Sequence, residues 1–343
     1  MAIQVLGLDI GGANLKAAHS AGAARAVAFA LWKHPERLAT ELTSLCAAMP
    51  PSDCLAVTMT GELCDCFNGK RDGVRAILQS VRAAYSERPL RVWSTESRLL
   101  DFDEAMANPL SVAAANWLAL AHLVARQFAQ ENVVLLDTGS TTTDIVYLRC
   151  GKPEPRGLTD PERLAAGELV YTGVRRTPIC AVLGMQVAAE FFATMHDAYL
   201  HAGLAPENPR DRDTADGRPA TRAAARARLA RMRCADADTF SDHEASALAQ
   251  LALQAQWRMV QRALARVTEN RPAVDRFVVS GSGEMLARNV CARHQVWSVK
   301  PLTSLAESMG AELSAAACAY AVAILAQREE PHGQCPDHRQ GRR

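Results

Sequence analysis

Short apolar runs broken by small polar clusters dominate the pattern of this chain. Residues 3–9 are mostly apolar and read as a buried strand, ending in Asp9 and the pair Gly11 and Gly12. After the glycines, "LKAAHS", a Gly-containing turn and "RAVAFALWK" read as two further strands. The loop therefore joins strands of a meander. A dinucleotide fold or a P-loop would open a helix at that point, and the GKS or GKT of a P-loop is absent. The period then changes. A helix is expected from Pro35 to about Ala48, with proline at its start, followed by a strand over 54–60. Next come a helix in "RDGVRAILQSVRAAYSE", a strand in "RVWS" and a small-residue helix over 111–128. Three strands followed by alternating helix and strand make one α/β unit.

The pattern restarts at "NVVLLDTGSTTTDIVYL", again strand, Gly-containing loop, strand. Farther on, "FVVSGSGEML" reads as strand, Gly loop, helix. Between them lie the helical "TRAAARARLARMR" and a long helix from Ser241, where Glu244 completes a capping-box pattern, to about Asn270. A last helix is expected from Ser304, with Glu307, to about Arg328, ahead of a disordered tail over 329–343. The expected division is 1–131 with 303–328, and 132–302.

Bulk composition narrows the class. The 343 residues favour two domains, and 49% hydrophobic with 22% charged residues is a soluble globular profile. A net charge of +1 argues against a nucleic-acid partner. No apolar run is long enough for a bilayer, and "MAIQVLGLDI" reads as a first strand rather than a signal peptide. Ten scattered cysteines without a CxxC pair fit reduced thiols in a cytoplasm. Cys64 and Cys66 are close but lack partners at zinc spacing, so no structural metal is expected. His19 and His122 have no catalytic spacing.

The two hairpin loops carry the candidate chemistry. Asp9, Gly11, Gly12, Asn14 and Lys16 match Asp137, Gly139, Ser140, Thr142 and Asp144 at equal offsets. The glycines let backbone amides approach an anion. Ser140, Thr141 and Thr142 add hydroxyls, and Lys16 adds a cation. Asp9 and Asp137 repel phosphate but can hold a hydrated Mg²⁺ that faces it. Two such loops, one per domain, suit a di- or triphosphate in a cleft. Gly281, Ser282 and Gly283 would let a ring or ribose lie at a helix start.

Two DxG hairpin loops with a later strand-GxG-helix loop resemble the actin-like ATPase superfamily. The resemblance implies duplicated ribonuclease-H-like α/β domains, with the last helix returning to the first. More closely, "GLDIGGANLKAA", "TMTGELCDCF", "LLDTGSTTTDI", "ELVYTGVRRTP", "DTADGRP" and "VVSGSGEML" resemble the hydantoinase/oxoprolinase family, in its subgroup linked to tetrahydromethanopterin-dependent one-carbon transfer. That resemblance implies a cytoplasmic transferase of methanofuran or methylofuran biosynthesis. It would join an aminomethylfuran diphosphate to the phenol of a (γ-glutamyl)tyramine or tyrosine derivative and release diphosphate. Mg²⁺ is implied; ATP is allowed but not required. A homo-oligomer is compatible with it. An ATP-dependent kinase or hydrolase of the same fold stays open, as does a regulatory nucleotide-binding protein.

For the implied reaction, Lys16, the loop amides and Mg²⁺ at Asp9 and Asp137 would stabilise the leaving diphosphate. Glu62 and Asp144, both expected just past strand ends, are candidate bases for the phenol. Asn116 lies in an Ala-rich helix, where a backbone bond or a ligand contact would suit it. Arg175 and Arg176 are either solvated or phosphate-binding. The segment 210–233 holds eight arginines, read as a solvated face or as a site for an anionic substrate. Within its "DTADGRP", Asp213, Asp216 and Arg218 are candidate substrate contacts.

Overall fold

A computed structural model describes residues 3–85 and 88–329. The expected tail over 329–343 lies outside these residues except for Glu329, which ends a helix. The chain forms two compact units, residues 3–123 with 316–329, and 124–315. The border falls inside a helix rather than at 131/132, and the return to the first unit comes at 316 rather than 303.

The first unit opens with β1 (Val5–Ile10), β2 (Asn14–His19) and β3 (Ala24–Ala28), an antiparallel meander. Then follow α1 (Leu38–Ala47), β4 (Cys54–Met59), α2 (Lys70–Ala84), β5 (Leu90–Trp93), β6 (Leu99–Leu100), α3 (Phe102–Ala107) and α4 (Asn116–Gln127). The sheet order is β3-β2-β1-β4-β5-β6, with β1, β4 and β5 parallel. Every residue of β1 and β4 is buried, which is why both read as largely apolar runs, with Asp9 and Thr58 as their polar members.

The second unit repeats the plan. Its hairpin is β7 (Asn132–Thr138) and β8 (Thr143–Arg149), followed by β9 (Lys152–Pro153), α5 (Asp160–Ala166) and β10 (Leu169–Val170). Four helices come next: α6 (Ile179–Leu183), α7 (Met195–His201), α8 (Arg222–Arg231) and α9 (Asp242–Thr268). The unit closes with β11 (Arg276–Ser280), α10 (Glu284–Ala292), β12 (Leu302–Ser304), α11 (Leu305–Met309) and α12 (Ala311–Ala315). The order is β10-β8-β7-β11-β12, with β11 parallel to β7 and β12. The helix α9 starts at the expected capping box of Ser241 and Glu244 and buries Leu248, Leu253, Trp257, Val260 and Leu264 along one stripe. The last helix, α13 (Ala317–Glu329), lies on β1 in the first unit. A side chain at Gly7 would place its Cβ 1.9 Å from the Ala319 carbonyl oxygen, so glycine is what lets strand and helix meet.

Two expected helices differ. The one over 111–128 starts only at Asn116, because Ala114 takes a left-handed conformation (φ 49°) and its carbonyl accepts from the Trp117 indole. The one from Ser304 is broken into α11, α12 and α13. Ser304 caps it as expected (Glu307 N–H to Oγ, 3.0 Å), but Gly310 at φ +94° interrupts it and the Glu307 side chain turns to Arg288. No helix among the described residues is long and apolar enough to cross a membrane.

Candidate active site

The two hairpin loops are equivalent in register as well as in sequence. Asp9 pairs across the ladder with Lys16, and Asp137 with Asp144. The Gly11 N–H donates to the Asn14 carbonyl (3.0 Å), and the Gly139 N–H to that of Thr142 (2.8 Å). Those two amides therefore close the turns and do not serve an anion, contrary to the expectation. The amides that follow are better placed. In the second unit, Val174 N–H donates to the Gly139 carbonyl, and Arg175 and Arg176 N–H to that of Ser140 (3.2, 3.1 and 2.9 Å). In a trans peptide the N–H opposes the C=O, so the Ser140 and Thr141 amides point away from residues 174–176. In the first unit, Leu31 and Phe29 N–H occupy the Gly12 and Ala13 carbonyls in the same manner (2.9 and 3.0 Å).

Around the first loop, Asp9 is buried with the Lys16 ammonium 3.9 Å from Oδ2. Thr58 adjoins Asp9 in the sheet, and its buried hydroxyl has no hydrogen-bond partner among the described residues. The Thr60 and Gly61 amides bond the Ile10 carbonyl, which presses the segment after β4 against the loop. Glu62 on that segment is 1% exposed, 3.9 Å from the Lys70 ammonium at the start of α2. Asn116 is not mid-helix. It heads α4, and its side-chain oxygen accepts from the Trp117 amide (2.7 Å).

Around the second loop, Asp137 Oδ1 accepts from Ser280 Oγ (2.6 Å) at the end of β11. Asp144 sits within β8, not past a strand end as expected, and Arg163 from α5 meets its Oδ1 at 2.8 Å. Burial pushes the Asp144 carboxyl up to about 6, with Arg163 opposing and the facing Asp137 adding to the rise. A carboxyl raised on folding stabilises the fold at low pH and loses that contribution as pH rises through about 6. Thermal unfolding across the pH range should show this. Wild type is expected to lose stability relative to Asp144→Asn between pH 4 and pH 6, and the difference should level off above.

The glycines after β11 serve packing. Gly281 has φ +88°, and a Cβ there would lie 2.3 Å from the Thr138 carbonyl oxygen and 2.8 Å from Asp137 Oδ1. At Gly283 it would meet Thr138 and Val174 side-chain carbons within 2.8 Å. What these positions clear is the end of β7, not room for a ring, while Ser282 between them is exposed. Gly281→Ala should cost about 1–3 kcal/mol in urea unfolding, from overpacking and left-handed strain together.

The arginine-rich segment is partly a solvated face, with Arg210, Arg212, Arg218, Arg222 and Arg233 exposed, while others of its arginines serve the fold. Arg228 is fully buried, with Nε and Nη2 on Asp197 (2.7 Å each) and Nη1 on Asp216 (3.0 Å). Arg231 also reaches Asp216 (3.2 Å), Arg226 caps the Phe240 carbonyl and Arg222 pairs with Asp242. Arg175 spans Asp211 (2.5 Å) and Asp213 (3.2 Å). Asp216 accepts the Arg218 amide (3.1 Å), so these expected substrate contacts stabilise their own loop. Nearby His196 is pushed down to about 4 by burial and by Arg175, so it is neutral at pH 7.

The carboxylate oxygens of Asp9 and Asp137 are hard donors that suit Mg²⁺. No group of three or more His, Cys, Asp or Glu among the described residues is arranged to hold a metal. Mg²⁺ usually needs only one or two carboxylates, with water and substrate phosphate completing its shell, so the residues present fit that mode.

The hydantoinase/oxoprolinase family model matches residues 53–328. The chain belongs to the hydantoinase/oxoprolinase family. The chain is also similar to the (4-{4-[2-(gamma-L-glutamylamino)ethyl]phenoxymethyl}furan-2-yl)methanamine synthase of Methanocaldococcus jannaschii, 31% identical over 96% of this chain and 99% of that one. The synthase of the same name from Methanococcus vannielii is 28% identical over 59% of this chain and 94% of its own. A nucleotide-free acetone carboxylase structure aligns over 94% of this chain and 70% of its own, with a TM-score of 0.52 at 10% identity. With the repeated strand order, that likeness makes this family member an actin-like ATPase fold.

Several residues that shape the site escaped the sequence. Arg163, Ser280 and Asp211 sit far in sequence from the groups they hold, and Lys70 lies across a loop from Glu62. Only Arg163 had a local signal, the Thr159-x-x-Glu162 capping box that starts its helix.

Proposed function

We propose that this protein is a diphosphate-releasing transferase. It would join an aminomethylfuran diphosphate to the phenol oxygen of a (γ-glutamyl)tyramine or tyrosine derivative in methanofuran or methylofuran biosynthesis. The observation that carries the reading is the identity of 31% over nearly the full length of the Methanocaldococcus jannaschii synthase. Paired strand-end loops of the anion-holding kind support it.

In this reading the furan-methyl carbon–oxygen bond to diphosphate breaks and a bond to the phenol oxygen forms. In the first unit, Lys16 is assigned to charge developing on the leaving diphosphate, and Glu62 to the phenolic proton. Glu62 is preferred to Asp144 because Arg163 holds the Asp144 carboxylate at 2.8 Å, closer than the 3.9 Å between Lys70 and Glu62. In the second unit, the Ser140 and Thr141 amides and the hydroxyls of Ser140, Thr141 and Thr142 are assigned to phosphate oxygens. Mg²⁺ held at Asp9 or Asp137 would supply further neutralisation of phosphate charge.

The test incubates the purified protein with Mg²⁺, the furan diphosphate and tyramine or tyrosine derivatives, without nucleotide. Free diphosphate and an ether product are expected. Strict dependence on ATP with release of ADP would instead make it a kinase or hydrolase of this fold.

A further inference from the structure

Residues 208–221 form a loop tied at both ends to arginines. The Asn208–Ala220 bridge closes its base, with Asn208 N–H on the Ala220 carbonyl (2.8 Å) and Ala220 N–H on that of Asp211 (2.9 Å). One end is anchored in the helical layer, where Asp216 takes Arg228 and Arg231. The other end reaches Arg175. Asp211 accepts from Arg175 Nη2 with one oxygen (2.5 Å) and from the Asp213 amide with the other (3.0 Å), while Asp213 adds its carboxylate and its carbonyl (3.2 Å each). Asp211 is the better shielded of the two acids, 18% against 78% exposed. The Arg175 backbone is in turn bonded to Ser140, in the anion loop.

We propose that Asp211 is a positioning residue for the anion loop. By holding the Arg175 guanidinium, it fixes the 174–176 backbone, whose three amides occupy the Gly139 and Ser140 carbonyls. With those carbonyls engaged, the next two amides and the loop hydroxyls are turned toward an anion. Gly173 makes the approach close enough, since a Cβ there would lie 2.6 Å from Gly139, Ser140 and Thr141 backbone atoms. Arg175 thus acts through its backbone, and its side chain is a handle for the loop 208–221 rather than a phosphate ligand.

The choice of probe rests on the transferase reading; the positioning role does not. Two measurements on the full chain separate them. The first is calorimetric binding of inorganic diphosphate with Mg²⁺. Asp211→Asn should weaken it about tenfold, Asp213→Asn two- to threefold, and Asp211→Glu should restore it to within threefold of wild type. Asp242→Asn, which breaks the exposed pair with Arg222, should leave it unchanged. The second is hydrogen–deuterium exchange without ligand, in which Asp211→Asn should speed exchange at the Val174, Arg175 and Arg176 amides, with Asp213→Asn having a smaller effect and Asp242→Asn none. Unchanged exchange there, or equal loss in the Asp242→Asn control, overturns the positioning role. Faster exchange in a protein whose wild type binds no diphosphate supports that role and counts against the transferase reading.

Discussion

Lys16→Ala should lower kcat/KM for ether formation by about 10²- to 10³-fold, the scale seen when one donor to a developing anion is removed. The loss should fall mainly on kcat, because negative charge on the diphosphate grows as the carbon–oxygen bond breaks. Stability should fall as well, since buried Asp9 loses the ammonium 3.9 Å away. Circular dichroism and a melting curve separate the two effects. Lys16→Arg keeps the charge but changes its shape and reach, and should recover only part of the rate. Steady-state kinetics on both variants make the check; a change under threefold in Lys16→Ala would remove this residue from the chemistry.

Arg228→Met should destabilise the second unit by about 3–5 kcal/mol, the cost of leaving one member of a buried ion pair behind. Burial pushes the Asp197 carboxyl up even with Arg228 beside it, so the aspartate is poorly placed to carry its charge alone. It keeps the Thr194 amide (2.9 Å) in the capping box that starts α7. The double variant Asp197→Asn with Arg228→Met should recover a large part of the loss, because no unpaired charge then stays inside. Urea unfolding of the single and double variants measures this.

The sequence was most readable where structure is local or repeated. The hairpins announced themselves because Asp9 and Asp137 end fully apolar runs and are followed by glycine at the same offset. Ser241 and Glu244 placed the start of α9 for a similar reason: both halves of a cap lie within one turn. Legibility failed where the decisive partner is remote. The short β12 carries too little pattern by itself and exists because β11 pairs with it. Ala114 adopts a conformation alanine rarely favours, held by an indole three residues on. The arginines of 210–233 look like surface until Asp197, far upstream, is seen to take Arg228 inside. For the site, loop residues could be picked out by type, but whether an amide serves a turn or an anion depends on which carbonyls residues 29–31 and 174–176 reach.

The placement of α13 on β1 has a consequence for synthesis. The Gln327 side chain in α13 bonds the Ile3 carbonyl (2.6 Å), so β1 must wait for α13 to leave the ribosome. In between, residues 124–315 must emerge. At about 5–20 residues per second that delay is roughly ten to forty seconds, during which the Gly7 face of the nascent sheet is bare. The second unit is continuous in the chain and has no such wait. A newborn molecule should therefore pass through a stage in which its later half is folded and its earlier half is still a chaperone client.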